Sequence, residues 1–252
     1  MKKLKKPLLF SLALLPFAIV AGLFTYLYQF DLHSDDFIKQ TIAQIGSEEL
    51  LIVISVIQVC MYAIICGFFG YILSEKTGLL KSFKIESSAL VKTLLITVVV
   101  GIVFSLDYWT FGSAVPLIQE ATKAGLTVNC VIASVFYGGV IEEVMMRLFA
   151  LSLIVFIIWK IFFRKKSKED IPKGVFIAAN VIAALLFAAG HLPATITTFG
   201  ELTPLILFRC FLLNGGFGYV FGWIYQKYGI QYSIISHLGV HIISKLILII
   251  FI

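Results

Sequence analysis

Apolar runs long enough to cross a bilayer recur along the whole chain, separated by short charged loops. About twenty apolar residues form a helix that crosses a hydrocarbon core of about 30 Å. In lipid each backbone N–H and C=O needs a partner within the protein, so only helices and closed barrels can span. The strand alternation of a barrel is absent here. Hydrophobic residues make up 60% of the 252 positions and charged residues 13%, which excludes an ordinary soluble domain. The sequence predicts an all-α fold: a polytopic transmembrane helical bundle forming one integral membrane domain.

The runs cover about 7–28, 50–73, 89–108, 129–163, 174–191, 205–225 and 230–252. Lys2, Lys3, Lys5 and Lys6 precede the first, which is longer than the apolar core of a signal peptide. The net charge of +6 does not indicate nucleic acid, because the lysines and arginines lie in loops beside the spans. That distribution predicts a multi-pass protein of the cell membrane with a cytoplasmic N-terminus. Asp31, Asp35, Asp36, Glu48 and Glu49 then fall in an outer loop, together with His33. Residues 109–128 read as a second outer loop with a short interfacial helix. The run 129–163 would measure about 52 Å as a straight helix, too long for one crossing and too short for two. Gly138-Gly139 is its natural break, giving seven spans if the segment crosses once and eight if it counts as two. Chemistry-bearing residues concentrate late, so residues 1–128 read as three supporting spans and 129–252 as the functional core. Cys60, Cys66, Cys130 and Cys210 all fall in spans without CxxC spacing and read as small buried residues.

The stretch Gly138-Gly139-Val140-Ile141-Glu142-Glu143-Val144-Met145-Met146-Arg147 places two carboxylates and a guanidinium in this apolar setting. One charged side chain at the centre of a membrane helix costs roughly 2.5–3.5 kcal/mol. Glu143 and Arg147, at i and i+4, share a face and can pair. Glu142 lies about 140° from Arg147 and is left to face something else. Three of the four histidines occur at membrane depth: His191, closing Phe187-Ala188-Ala189-Gly190-His191, and His237 and His241, one turn apart. Asn180, Arg209 and Asn214 form a looser polar set, in which the two asparagines read as inter-helix hydrogen bonding, and Phe187 reads as packing support. Carboxylate and imidazole suit acid–base work on water, and buried polar groups tend to converge on a bundle interior or a wet cavity.

Two other uses of these groups stay open at this level. HxxxH resembles the histidine pair of a zinc helix, although H-E-x-x-H would place glutamate where Leu238 stands. Three histidines and a carboxylate could still make a tetrahedral zinc site. A proton-coupled transporter also uses intramembrane Glu, His and Arg, but usually in two related halves, and no internal repeat is visible.

Taken together and in this order, Glu142-Glu143-x-x-x-Arg147, Phe187-x-x-x-His191 and His237-x-x-x-His241 resemble the CPBP family. This family comprises CAAX-processing and bacteriocin-protection intramembrane proteases, also called Abi. The resemblance runs from about residue 129 onwards. It implies a membrane-embedded endopeptidase of glutamate type in which Glu142 and His191 activate water. Glu143 and Arg147 would support the site, and His237 and His241 would stabilise the oxyanion. The family's last motif more often ends in Asn; here it ends in His241, which also donates a hydrogen bond. The implied substrate is a membrane-associated peptide or protein, with the lipid bilayer as the other partner. Neither nucleic acid nor a cofactor is expected, zinc being the alternative. A catalytically silent bacteriocin-immunity or peptide-binding protein is the alternative function.

Overall fold

The computed structural model describes residues 4–32 and 35–252; Lys2, Lys3 and His33 lie outside the described residues. The described chain consists of helices joined by short loops, without strands. Among the described residues seven helices are long and apolar enough to cross a membrane: Lys5–Leu32, Glu48–Thr77, Ser87–Ala114, Val128–Phe162, Lys173–Phe199, Pro204–Tyr228 and Ile230–Phe251. Between the third and fourth spans the loop carries the helix Pro116–Ala124, started by Pro116 and seated on the buried Ile118.

The fourth span corrects one expectation. Gly138-Gly139 does not break it: Val128–Phe162 runs as one continuous helix, so the segment counts once among the seven helices fit to span. It manages its length by winding more loosely, with π-helical turns at Ser134–Glu142 and Val144–Leu151. The glycines serve a different need. A Cβ on Gly139 would stand 2.5 Å from Leu238 Cβ and 2.9 Å from its Cα, and one on Gly138 would stand 2.9 Å from His241 Nε2. No side chain fits there, so the pair lets the seventh span approach backbone to backbone.

Ile141, Val144, Leu148, Leu151 and Val155 of the fourth span are fully buried and form the middle of the main core. The first two spans pack on each other and on this helix, while the seventh lies between the third and fourth. The fifth span turns at His191 and then continues as the helix Leu192–Phe199, two turns beyond its expected end. The four cysteines are free, as small buried or half-buried side chains.

Candidate active site

Glu142, His191, His237 and His241 come from three spans and line one cavity of about 320 Å³. Each is held there by a local cause. His191 caps the helix Lys173–Gly190. Its backbone N–H turns to the Ala188 carbonyl at 3.1 Å, and its ring Nδ1 donates to the Phe187 carbonyl at 2.8 Å. A carbonyl only accepts, so Nδ1 carries the hydrogen and Nε2 keeps its lone pair in the neutral ring. That lone pair faces Glu142: Nε2 and Oε1 are 3.9 Å apart. The gap is too wide for a direct hydrogen bond and suits a water donating to both. The two side chains are 31% and 17% exposed to the cavity.

Glu143 has the opposite surroundings. Its side chain is wholly buried, and Arg147, at 2% exposure, lies 3.2 Å from Oε1. The same oxygen accepts from His237 Nδ1 at 2.8 Å, and Ser233 Oγ donates to Oε2. Arg147 also donates to the Gly218 carbonyl at 3.1 Å, and its guanidinium lies 4.5 Å from the centre of the Phe187 ring. Phe187 in turn meets His191 edge-on at 4.6 Å, so it is the packing support the sequence suggested. A single carboxylate thus gathers a guanidinium, an imidazole and a hydroxyl from two spans, compensating its burial.

His237 stacks on Phe221 at 4.5 Å between ring centres. Because its Nδ1–H is committed to Glu143, its Nε2 is left facing His241 Nε2 at 3.2 Å. The two imidazoles therefore share a hydrogen across that contact rather than both aiming at a third point. Among the described residues no three His, Cys, Asp or Glu side chains converge as a metal site requires.

Several residues at or near the site were not picked out from sequence. Ser233 continues the His237–His241 stripe one turn earlier, and that four-residue spacing was the available signal. Thr25, Tyr28 and Gln29 of the first span and Phe104 of the third also line the cavity, so the first half contributes more than support. The looser polar set divides. Asn214 lines the cavity and donates to the Cys210 carbonyl at 3.1 Å, while Asn180 donates to the Tyr219 carbonyl at 3.0 Å. Arg209 holds Asp107 through both carboxylate oxygens, its Nε reaching Oδ1 at 2.7 Å.

Residues 124–243 match the family model of Rce1-like type II CAAX prenyl endopeptidases. Over these residues the chain is similar to the Rce1-like family. No curated protein and no solved structure matches the chain. The Rce1-like region holds both glutamates, Arg147, His191, Ser233, His237 and His241, and it ends just after His241. That likeness points to a protease embedded in the membrane.

Proposed function

We propose that this protein is a glutamate-type intramembrane endopeptidase and that Glu142 and His191 activate its water. The observation that carries this reading is the 3.9 Å opening between two acceptors, Glu142 Oε1 and His191 Nε2, inside a cavity that also holds two imidazoles. Water there would donate one hydrogen to each acceptor, leaving an oxygen lone pair for a peptide carbonyl carbon. As the C–O bond forms, a proton passes to the Glu142–His191 pair and the carbonyl oxygen takes negative charge. The hydrogen shared by His237 and His241 would turn onto that oxygen, a preorganised donor in a water-poor site. Collapse of the intermediate breaks the C–N bond, and the stored proton leaves on the amine.

The reading needs no metal, and the His237 nitrogen that could ligate one, Nε2, faces His241 Nε2 at 3.2 Å. The substrate is a membrane-associated peptide or protein: a prenylated tail, a bacteriocin or pheromone precursor, or a membrane protein. The N-terminus is assigned to the cytoplasm, because Lys81, Lys84 and Lys227 gather at the ends of the second, third, sixth and seventh spans on one side.

The test compares membranes from cells lacking the protein with those restored by wild type or Glu142→Gln, profiling peptides by mass spectrometry. A fragment made by wild type and not by the variant supports the reading. Identical profiles would favour the silent, peptide-binding alternative. Activity lost to a chelator and restored by zinc would replace the glutamate-type mechanism with a metal one.

A further inference from the structure

Lys245 is a cation at membrane depth that the proposed reaction does not use. It follows His241 by one turn, extending the stripe Ser233, His237, His241 along the seventh span. Its Nζ donates to Ser134 Oγ at 3.0 Å, and Ser134 itself donates to the Cys130 carbonyl at 2.6 Å. Ser134 stands on the wall of the catalytic cavity. Lys245 lines a neighbouring cavity of about 160 Å³, and the two cavities share Tyr28 and Phe104.

The charge balance of that side cavity is uneven. Asp107 and Arg209 also line it, but they neutralise each other through two contacts. Among the described residues no carboxylate lies within ion-pair reach of Lys245. An ammonium has three donors; one is used on a neutral hydroxyl, and the Cys130 thiol beside it is the other side-chain partner. Ions inside a bilayer pair or line a functional path. A cation without a counter-ion, one helical turn from the catalytic imidazoles, is suited to an anion that arrives with the substrate.

We infer that Lys245 and Ser134 form a subsite for a substrate carboxylate beside the scissile bond. This rests on the proteolytic reading above, and it makes Lys245 a specificity determinant outside the reacting atoms. The carboxylate is either the chain terminus or an acidic side chain. Both present the same group to the ammonium, as a charge-assisted hydrogen bond.

Binding can be measured without knowing the natural substrate. N-decanoyl-Ala-Ala as the free acid and as its amide, and N-decanoyl-Ala-Asp-amide, are titrated against the full-length protein in lipid nanodiscs. The free acid is expected to bind at least about tenfold more tightly than its amide, the usual worth of a hydrogen bond to a charged group. Lys245→Met should abolish the preference and Lys245→Arg should keep it. Tight binding of the aspartate peptide as well would assign the subsite to acidic side chains in addition to termini. Equal binding of acid and amide to wild type, or no binding of either, overturns the inference. So does a preference that survives in Lys245→Met. Glu142→Gln separates the two claims: if the protein is not a protease, the acid preference can persist with no cleavage to lose. Cleavage without any acid preference sinks the subsite alone.

Discussion

Glu142 with His191 and Glu143 with His237 are the same two functional groups, adjacent in sequence on the carboxylate side, set in opposite surroundings. The first pair is parted by 3.9 Å and opens to the cavity; the second is closed at 2.8 Å and sealed. What separates them is the number of partners already present. Glu143 has Arg147, His237 and Ser233, and no surface open to water. Among the described residues Glu142 lies within ion-pair distance of His191 only. Chemistry is available to the carboxylate whose partners leave a gap, and stability to the one whose partners close it.

The sharpest way to test this contrast is to neutralise each carboxylate in turn. Glu142→Gln should lower turnover by about 10²–10⁴-fold, the usual contribution of a positioned acid–base group, with thermal stability close to wild type. Glu143→Gln should destabilise the fold by about 3–5 kcal/mol, because it leaves Arg147 charged and buried without its counter-ion. Turnover per folded molecule and unfolding in a denaturant series would be recorded for both. Similar loss of folded protein in the two variants would erase the distinction.

The imidazole contact gives the next largest effect. If position 241 supplies a hydrogen to the oxyanion, His241→Ala should lose about 10²–10³-fold in rate, the cost of one such donor. His241→Asn should retain a substantial share, since an amide N–H can replace the ring. Rates on one substrate at matched folded-protein levels decide this. Equal, severe loss in both variants would point to a ligand or second-base role instead.

Ser233→Ala probes the sealed pair more gently. It removes one of the donors to Glu143 while leaving Arg147 and His237 in place. A loss of about 1.5–3 kcal/mol of stability is expected, as for a hydrogen bond to a charged group, with kcat per folded molecule little changed. A kcat loss as large as that of Glu142→Gln would mean that the two pairs are not independent.

Charge in an apolar setting is what made the site readable before the structure. Glu142, Glu143, Arg147 and the three histidines each demand a partner, and few partners were on offer. Residues whose partners are distant in sequence stayed hidden. Asp107 finds Arg209 across 102 positions, and Thr25, Tyr28 and Gln29 reach the cavity through helix packing alone. The Gly138-Gly139 pair was misread for a related reason. Glycine marks both a break and a close approach, and only the position of Leu238 and His241 on another helix decides between them. The seven-span bundle itself followed from apolar run lengths, and its remaining ambiguity was resolved by the π-helical winding of Val128–Phe162.

That winding also governs which length changes the protein can absorb. A π turn carries about one residue more than an α turn. Losing a single residue between Ser134 and Ile141 would let the helix relax to ordinary winding, so the bundle need not unfold. The turns beyond it would keep their phase, because the residue removed is the one the π turn holds in excess. A second loss, with no loose turn left before Glu142, would swing it by about 100° relative to the start of the helix. The carboxylate would survive, aimed away from His191. A one-residue deletion in the loop of residues 163–172 changes no helical phase and has no such reach. In this protein the spelling of the fourth span matters less than its count.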